Sequence, residues 1–426
     1  MNNSAVKIGV IGLGPRAETL LATLRSLPQN ECQVTAICDL NTERIEKICN
    51  IFKANSLTVP AAYTDYKKLI ADPEVQAVLI PTSWNSHLAI AADVMKAGKY
   101  AAIEVGGAAS LDELWQLVHN SENFGGKCMM LENCCYGRNE LMVLNMVRQG
   151  LLGEIVHCAC GYEHDIAYEL VDENGCTSER AMHNLKRNGD LYPTHGLGPI
   201  AKILNINNGN RFLSISSFAS KSCGFKSYAQ KVNSPVTDFA IGDVITSVIK
   251  CANGETITLT HGISLPRPYS RDCRVQGTNG IWLEDADGIF INGISETKTE
   301  IDVAGNPYYS HVWDKTEKFY EKYDHPLHAE YAKITALGGH GGMDWLVMRA
   351  FIESVKAGTD TPIDAYDTAA WMAIAPLSEA SIAKGGAPVE IPDFTRGKWI
   401  RREPAVESKY SLDIIVENDT PIVPEE

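Results

Sequence analysis

The sequence predicts an α/β domain followed by an α+β domain built on an open, mostly antiparallel sheet. Three observations carry this. Strand-like and helix-like segments alternate up to about residue 131, strand-like runs succeed one another after about residue 150, and a glycine turn joins the first strand to the first helix. With 426 residues, 45% of them hydrophobic, the chain is long enough for two cores. The expected divisions are 1–131, 132–400 and a surface tail at 401–426.

In the first division Val6–Ile11 reads as a buried strand and Glu18–Leu27 as a helix. Strands at Val34–Cys38, Ala77–Ile80, Tyr100–Val105 and Lys127–Leu131 follow, separated by helices at Glu43–Phe52, His87–Ala97 and Leu111–Glu122. Strands this apolar, spaced by helices, indicate a parallel sheet covered on both faces. The second division has strands at Ile155–Tyr162, Phe212–Ser217, Asp243–Lys250, Thr256–His261, Cys273–Gly277 and Gly280–Glu284, with Asn253-Gly254 as a hairpin turn. A helix at Gly198–Leu204, a loop-rich stretch over 285–340, and helices at Met343–Lys356 and Asp367–Lys384 complete it.

A net charge of -15 argues against a nucleic-acid surface and fits a small-molecule substrate. No apolar run has the length of a membrane span. Met1 leads almost directly into the first strand, so the expected location is cytoplasmic as given, and exported if a leader has been removed. Several of the twelve cysteines (Cys38, Cys128, Cys158, Cys160, Cys251) alternate or fall in strands and helices, and Cys134-Cys135 and Cys158-Ala-Cys160 lack Cys-x2-Cys spacing, so reduced thiols and no metal are expected.

Gly12-Leu-Gly14-Pro-Arg16-Ala17 sits between the first strand and the first helix, where glycines let the backbone approach a pyrophosphate at the helix N-terminus. Asp39 ends the second strand, where an acid binds ribose hydroxyls and disfavours a 2′-phosphate. The first division therefore reads as a Rossmann domain binding NAD. Three clusters end the later strands, where ligands bind in such sheets: Pro81 to His87, Glu104-Val105-Gly106, and Glu132 to Tyr136. In the second division, Tyr192-Pro193-Thr194-His195 puts a phenol and an imidazole three residues apart on a proline-stiffened helix start. Rigidly held proton carriers suit proton-transfer chemistry.

Together these segments resemble the Gfo/Idh/MocA oxidoreductases. Within that superfamily the stretches at 132–138, 161–165, 191–199, 266–271 and 338–344 resemble glycoside hydrolase family 109, whose founding activity is an NAD-dependent α-N-acetylgalactosaminidase. Beside Gly12 and Gly14 of the turn, the resemblance implies cofactor contacts at Arg16, Ala17, Asp39, Trp84, Asn85, Ser86, His87, Glu104, Val105, Asn133 and Tyr192. It implies substrate contacts at Tyr162, Arg180, Tyr192, Pro193, Thr194, His195 and Tyr269. Simple dehydrogenases of the superfamily carry Glu-Lys-Pro where this chain has Glu104-Val-Gly, and an aspartate where it has Leu191. Both losses agree with the glycosidase branch. Family Trp-Arg and His-Pro-Leu-Trp are here Glu179-Arg180 and His325-Pro-Leu-His328.

The implied reaction is cleavage of an N-acetylhexosaminide through C3 oxidation, C2 deprotonation, elimination, water addition and re-reduction, with NAD tightly bound and recycled. The expected roles are His195 or Tyr192 at the C3 hydroxyl, Tyr162 as C2 base with His164 as alternate, and Tyr269 and Arg180 orienting the sugar. Each has a structural rival: Tyr162 as sheet packing, His195 as a helix cap, Tyr269 as loop packing. Two other functions are weighed, an NAD-dependent sugar dehydrogenase and a catalytically silent NAD- and sugar-binding regulator. A homo-oligomer is expected.

Overall fold

The computed structural model describes residues 4–402, 407–417 and 422–423. In the first domain β1 (Val6–Ile11) is followed by α1 (Pro15–Arg25), β2 (Cys32–Cys38) and α2 (Thr42–Ala54). Next come β3 (Ala61–Tyr63), α3 (Tyr66–Ala71), β4 (Ala77–Ile80), α4 (His87–Lys96), β5 (Tyr100–Ile103), α5 (Leu111–Asn123) and β6 (Cys128–Met130). The strands are parallel and ordered β3-β2-β1-β4-β5-β6, the doubly wound arrangement expected. The central strands are buried on both faces, which is why they read as apolar runs without alternation. β3 and α3 were not expected: three and six residues are too few to show a period. Pro15 occupies the first turn of α1, so that helix begins three residues earlier than its apolar pattern suggests.

The second sheet has nine strands. In spatial order they are Asp314–Lys315, Gly288–Ile291, Gly280–Leu283, Arg274–Gly277, Ile155–Glu163, Thr256–Gly262, Ile245–Cys251, Phe212–Ala219 and Val389–Glu390. All neighbours are antiparallel except Ile155–Glu163 beside Thr256–Gly262. Strand Ile245–Cys251 alternates buried and exposed residues, the mark of a sheet with one covered face. Gly254 takes φ +108°, as the turn between the two strands beside it requires.

Three expectations are corrected. The stretch 285–340 is not mainly loop: two of its strands extend the large sheet, and Thr297–Ile301 pairs with Pro307–His311 as a separate exposed ribbon. The span expected as one helix is two, Ala365–Met372 and Ile374–Ala383. The segment expected as a surface tail is packed where it is described. Tyr410 and Leu412 are buried, the Tyr136 hydroxyl donates to the Tyr410 carbonyl, and Arg349 Nε donates to the Tyr410 hydroxyl. The helix Met343–Ala357 brings the chain back to the first domain, where Arg349 pairs with Glu31.

Candidate active site

The dinucleotide turn has the shape its sequence requires. Gly12 takes φ +92°, and a Cβ there would stand 2.8 Å from Thr82 Cγ2, so the turn is packed against the end of β4. Around Gly14 a Cβ would approach nothing closer than Arg44 Nη1 at 4.0 Å, and no side chain caps the N-terminus of α1. The space beside Gly14 at the start of α1 is thus open and uncapped, as a pyrophosphate needs. Asp39 accepts from Leu13 N at 2.6 Å and from Asn41 N at 2.8 Å, which fixes its carboxylate beside the turn. These residues fit an NAD molecule, with Ala17 buried beneath the helix start.

The other expected cofactor residues divide. Arg16 donates from Nε to Glu104 at 2.8 Å and grips Asp344 with its two terminal nitrogens, at 2.7 and 3.0 Å. Asn133 Nδ2 also donates to Asp344, at 2.7 Å. Val105 and His87 are buried, while Asn85 is exposed and Ser86 half-buried. Both His87 nitrogens lack a partner, and burial lowers its pKa to about 4, so its ring is neutral. Trp84 lies over Gly106, whose φ is +148°.

Residues expected to meet the substrate are brought together at the C-terminal edge of this cleft. The helix Thr194–Ile203 begins just after Pro193, four residues earlier than its apolar pattern suggested, and presents His195 from its first turn. The Tyr192 ring lies 5.7 Å from Trp84, 4.8 Å from Tyr162 and 5.0 Å from His195. Tyr162, at the end of strand Ile155–Glu163, is also 5.6 Å from His195 and 6.0 Å from Tyr269. Arg180 stands with its guanidinium 4.3 Å from the Tyr192 ring centre and 5.5 Å from that of Tyr162. Its Nε and one terminal nitrogen are buried without a partner, an arrangement that suits a ligand oxygen. Pro193 and Thr194 are buried.

Two pairings escaped the sequence. Glu132, fully buried at the end of β6, lies 2.7 Å from His195 Nδ1, and Cys134 Sγ is 3.4 Å from the same nitrogen. Burial alone would lower the His195 pKa, but Cys134 and Glu132 raise it well above the usual histidine value; Glu132 is held below the usual carboxylate value by His195. Both shifts favour an imidazolium beside a carboxylate. The position of Glu132 at a strand end was the available signal; its partner was not.

Deeper still, His261 Nδ1 lies 3.4 Å from Asp190 Oδ1, both residues buried, and the His261 ring stacks 6.2 Å from Tyr162. Burial raises Asp190 to about 7 and lowers His261 to about 3, so this pair is neutral in mildly acidic solution. Asp190 Oδ1 also accepts from Tyr192 N at 3.1 Å, holding the Tyr192 backbone. By contrast His328, which stands where the family has tryptophan, is buried with Nε2 3.1 Å from the Tyr136 carbonyl and its ring beside Tyr331. Among the described residues no helix is long and apolar enough to cross a membrane.

A doubly wound domain with an open glycine turn, joined to an open-sheet domain that supplies a cluster of aromatic rings beside it, defines an NAD-binding oxidoreductase fold. Residues 6–131 match the oxidoreductase family with an NAD-binding Rossmann fold, and residues 136–401 match the glycosyl hydrolase 109 C-terminal domain. The chain belongs to glycosyl hydrolase family 109. It is 39% identical to an alpha-N-acetylgalactosaminidase of Tannerella forsythia over 95% of this chain and 89% of that protein. An enzyme of the same name from Shewanella oneidensis is 38% identical over 94% and 87%. Among solved structures, an NAD binding oxidoreductase from Klebsiella pneumoniae superposes with a TM-score of 0.68 at 17% identity, covering 91% of this chain and 99% of that one. A levoglucosan dehydrogenase in complex with NADH and levoglucosan gives 0.65 at 18%, covering 91% and 100%. At such identity these two establish the fold.

Proposed function

We propose that the protein is an NAD-dependent glycosidase acting on N-acetylhexosaminides, α-N-acetylgalactosaminides first among them, and that NAD stays bound and is recycled. One observation carries the reading: Tyr162, Tyr192, His195, Arg180 and Tyr269 stand together in one cluster, which Tyr192 joins to Trp84 at the dinucleotide cleft. The names of the relatives from Tannerella and Shewanella support the sugar.

Gly12, Gly14, Arg16, Asp39 and the N-terminus of α1 would hold NAD, whose chemistry when bound is to take a hydride from a sugar carbon and return it. The residues of the chain supply the proton traffic. His164, whose pKa burial lowers, has Nδ1 3.2 Å from the Tyr162 hydroxyl. It can relay the phenol proton and leave Tyr162 as the base for the sugar C2 hydrogen, beside the Arg180 guanidinium. Tyr192, raised to about 12 chiefly by burial, keeps its proton and serves as a hydrogen-bond donor. His195, protonated against Glu132, is equipped to give a proton to the departing glycosidic oxygen. That shifts the first expectation, in which His195 or Tyr192 removed the C3 hydroxyl proton: with both already protonated, that proton passes to solvent water as the hydride leaves. Tyr269 and Arg180 orient the sugar.

Free thiols at all twelve cysteines support a cytoplasmic, reducing setting. Phe218 and Val248, 61% and 47% exposed on the open sheet face, support a homo-oligomer, which light scattering on the purified protein tests.

The function is tested by incubating the protein, without added cofactor, with nitrophenyl α- and β-glycosides of N-acetylgalactosamine, N-acetylglucosamine, galactose and glucose. Nitrophenol released over many turnovers with no build-up of NADH is the expected result. No release, with NADH growing when free sugars and NAD are supplied, makes the protein a sugar dehydrogenase. Binding of sugar with neither product makes it a regulator.

A further inference from the structure

Strand β2 holds one residue more than its pairing with β1 requires. Ile8 pairs with Val34 and Gly9 with Ala36, so Thr35 is bulged out of the ladder. A bulge breaks the alternation of a strand, and here Val34 and Thr35, consecutive in the chain, line the same pocket. On the other side of β2, strand β3 pairs only with Ala36–Cys38, which leaves 32–35 with no strand beside them. The pocket opens in that gap, between the end of α1 and the chain that enters β3 at Pro60.

Its chemistry is divided. Leu24, Phe52 and Pro60 line it and are buried, so the floor is apolar. Arg25, half-buried in the last turn of α1, lines it too, and among the described residues its side chain has no ion pair and no hydrogen bond. The Thr35 hydroxyl is buried and likewise has no partner. No Asp or Glu lines the pocket. A positive charge in the last turn of a helix suits its dipole, but that role requires neither a bulge nor an apolar floor. In a chain with 53 acidic residues against 38 Lys and Arg, a half-buried arginine that meets no acid is left to a ligand.

A guanidinium matches the two oxygens of a carboxylate, and an apolar floor takes a hydrocarbon end. Size sets the rest. A dry cavity of about 150 Å³ accepts benzene, so a pocket of about 110 Å³ limits the ligand to about five non-hydrogen atoms. We propose that this pocket binds a short-chain monocarboxylate of the size of propionate, with Arg25 pairing its carboxylate and Leu24, Phe52 and Pro60 receiving its hydrocarbon end. Thr35 adds a hydroxyl donor by rotation about χ1. Thr35 precedes Asp39 by about 13 Å of strand, so the site is separate from the dinucleotide cleft and independent of the glycosidase reading.

The test is saturation-transfer NMR from full-length protein to propionate, titrated for wild type, Arg25→Gln and Thr35→Val. The expected result is a Kd of about 1 mM for wild type, a reasonable value for so small a ligand. Binding should weaken about tenfold in Arg25→Gln and less in Thr35→Val, and propionamide, the uncharged isostere, should bind wild type about tenfold more weakly than propionate. Thermal unfolding identifies a variant that has failed to fold; if Arg25→Gln is one, Arg25→Lys replaces it, keeping the charge at the helix end while losing the planar fork. No binding to wild type, or equal binding by wild type and a folded Arg25 variant, overturns the proposal. Displacement of propionate by NAD places it in the cleft and overturns the pocket. Chloride that competes as well as propionate makes this a site for any small anion and overturns the carboxylate.

Discussion

Glu132 and His195 stand 63 positions apart in the chain and 2.7 Å apart in space, joined as an ion pair that ties the end of the first sheet to the first turn of the helix Thr194–Ile203. Replacing Glu132 by Gln removes the charge that keeps His195 protonated. The His195 pKa then falls, and with His195 as proton donor the alkaline limb of activity moves to lower pH while kcat drops by about a hundredfold. Stability changes in the matching direction. The raised His195 pKa stabilises the fold fully below the usual histidine value of about 6.5 and is lost as pH rises through the higher folded value; the lowered Glu132 pKa contributes above about 4.3 and is lost on acidification. Unfolding midpoints of wild type and Glu132→Gln should therefore differ most between those limits and converge at alkaline pH. A constant difference across pH contradicts the ion pair.

Tyr162→Phe keeps the ring packing and removes the phenol. The expected outcome is a loss of kcat by about a hundredfold to ten-thousandfold with KM little changed. Exchange of the sugar C2 hydrogen with solvent deuterium, seen by NMR, should vanish with it. Retained C2 exchange in Tyr162→Phe assigns the base elsewhere. Because His164 must be neutral to take the phenol proton, and burial lowers its pKa, the acid limb of wild-type activity should fall below the usual histidine value.

The buried Asp190–His261 pair predicts an unusual pH response. Asp190, raised to about 7, by itself makes stability fall as pH climbs from about 4 to about 7, whereas His261, lowered to about 3, makes it rise up to about 6.5. The two offset each other in the wild type, and the difference from Asp190→Asn isolates the aspartate. Asp190→Asn can still accept from Tyr192 N and has no charge to bury. Its unfolding midpoint should gain on the wild type over that window, and parallel curves for the two proteins would rule out the assigned ionisation.

Asp39 predicts the choice of dinucleotide. Asp39→Ser removes the charge facing the ribose, and isothermal titration should show NAD affinity falling and NADP affinity rising. Loss of the bond from Leu13 N also loosens the turn, so the NAD loss should exceed the NADP gain. Unchanged selectivity would place the ribose elsewhere.

What the sequence made legible was local. Gly12, Pro15 and Asp39 act through neighbours one turn or one strand away, so their spacing was enough to place the cofactor cleft. The pocket rings were legible through their motif, since Tyr192 and His195 share a helix start. Glu132, Asp190 and Asp344 were not, because each acts through a partner tens to hundreds of residues distant and no periodicity encodes that distance. Strand β3 was lost to its shortness, and Tyr410 to a proline-rich context that masks a buried side chain.

Gly106 sits beneath the indole of Trp84 with φ +148°. A proline there would need φ near −65°, and any Cβ would overlap the indole. Grafting the dehydrogenase sequence Glu-Lys-Pro onto 104–106 therefore cannot be done in this scaffold without remaking position 84 as well. The two chemistries are separated by a coupled change rather than a ladder of single substitutions, and a lineage or an engineer crossing between them has to pass through proteins that fit neither.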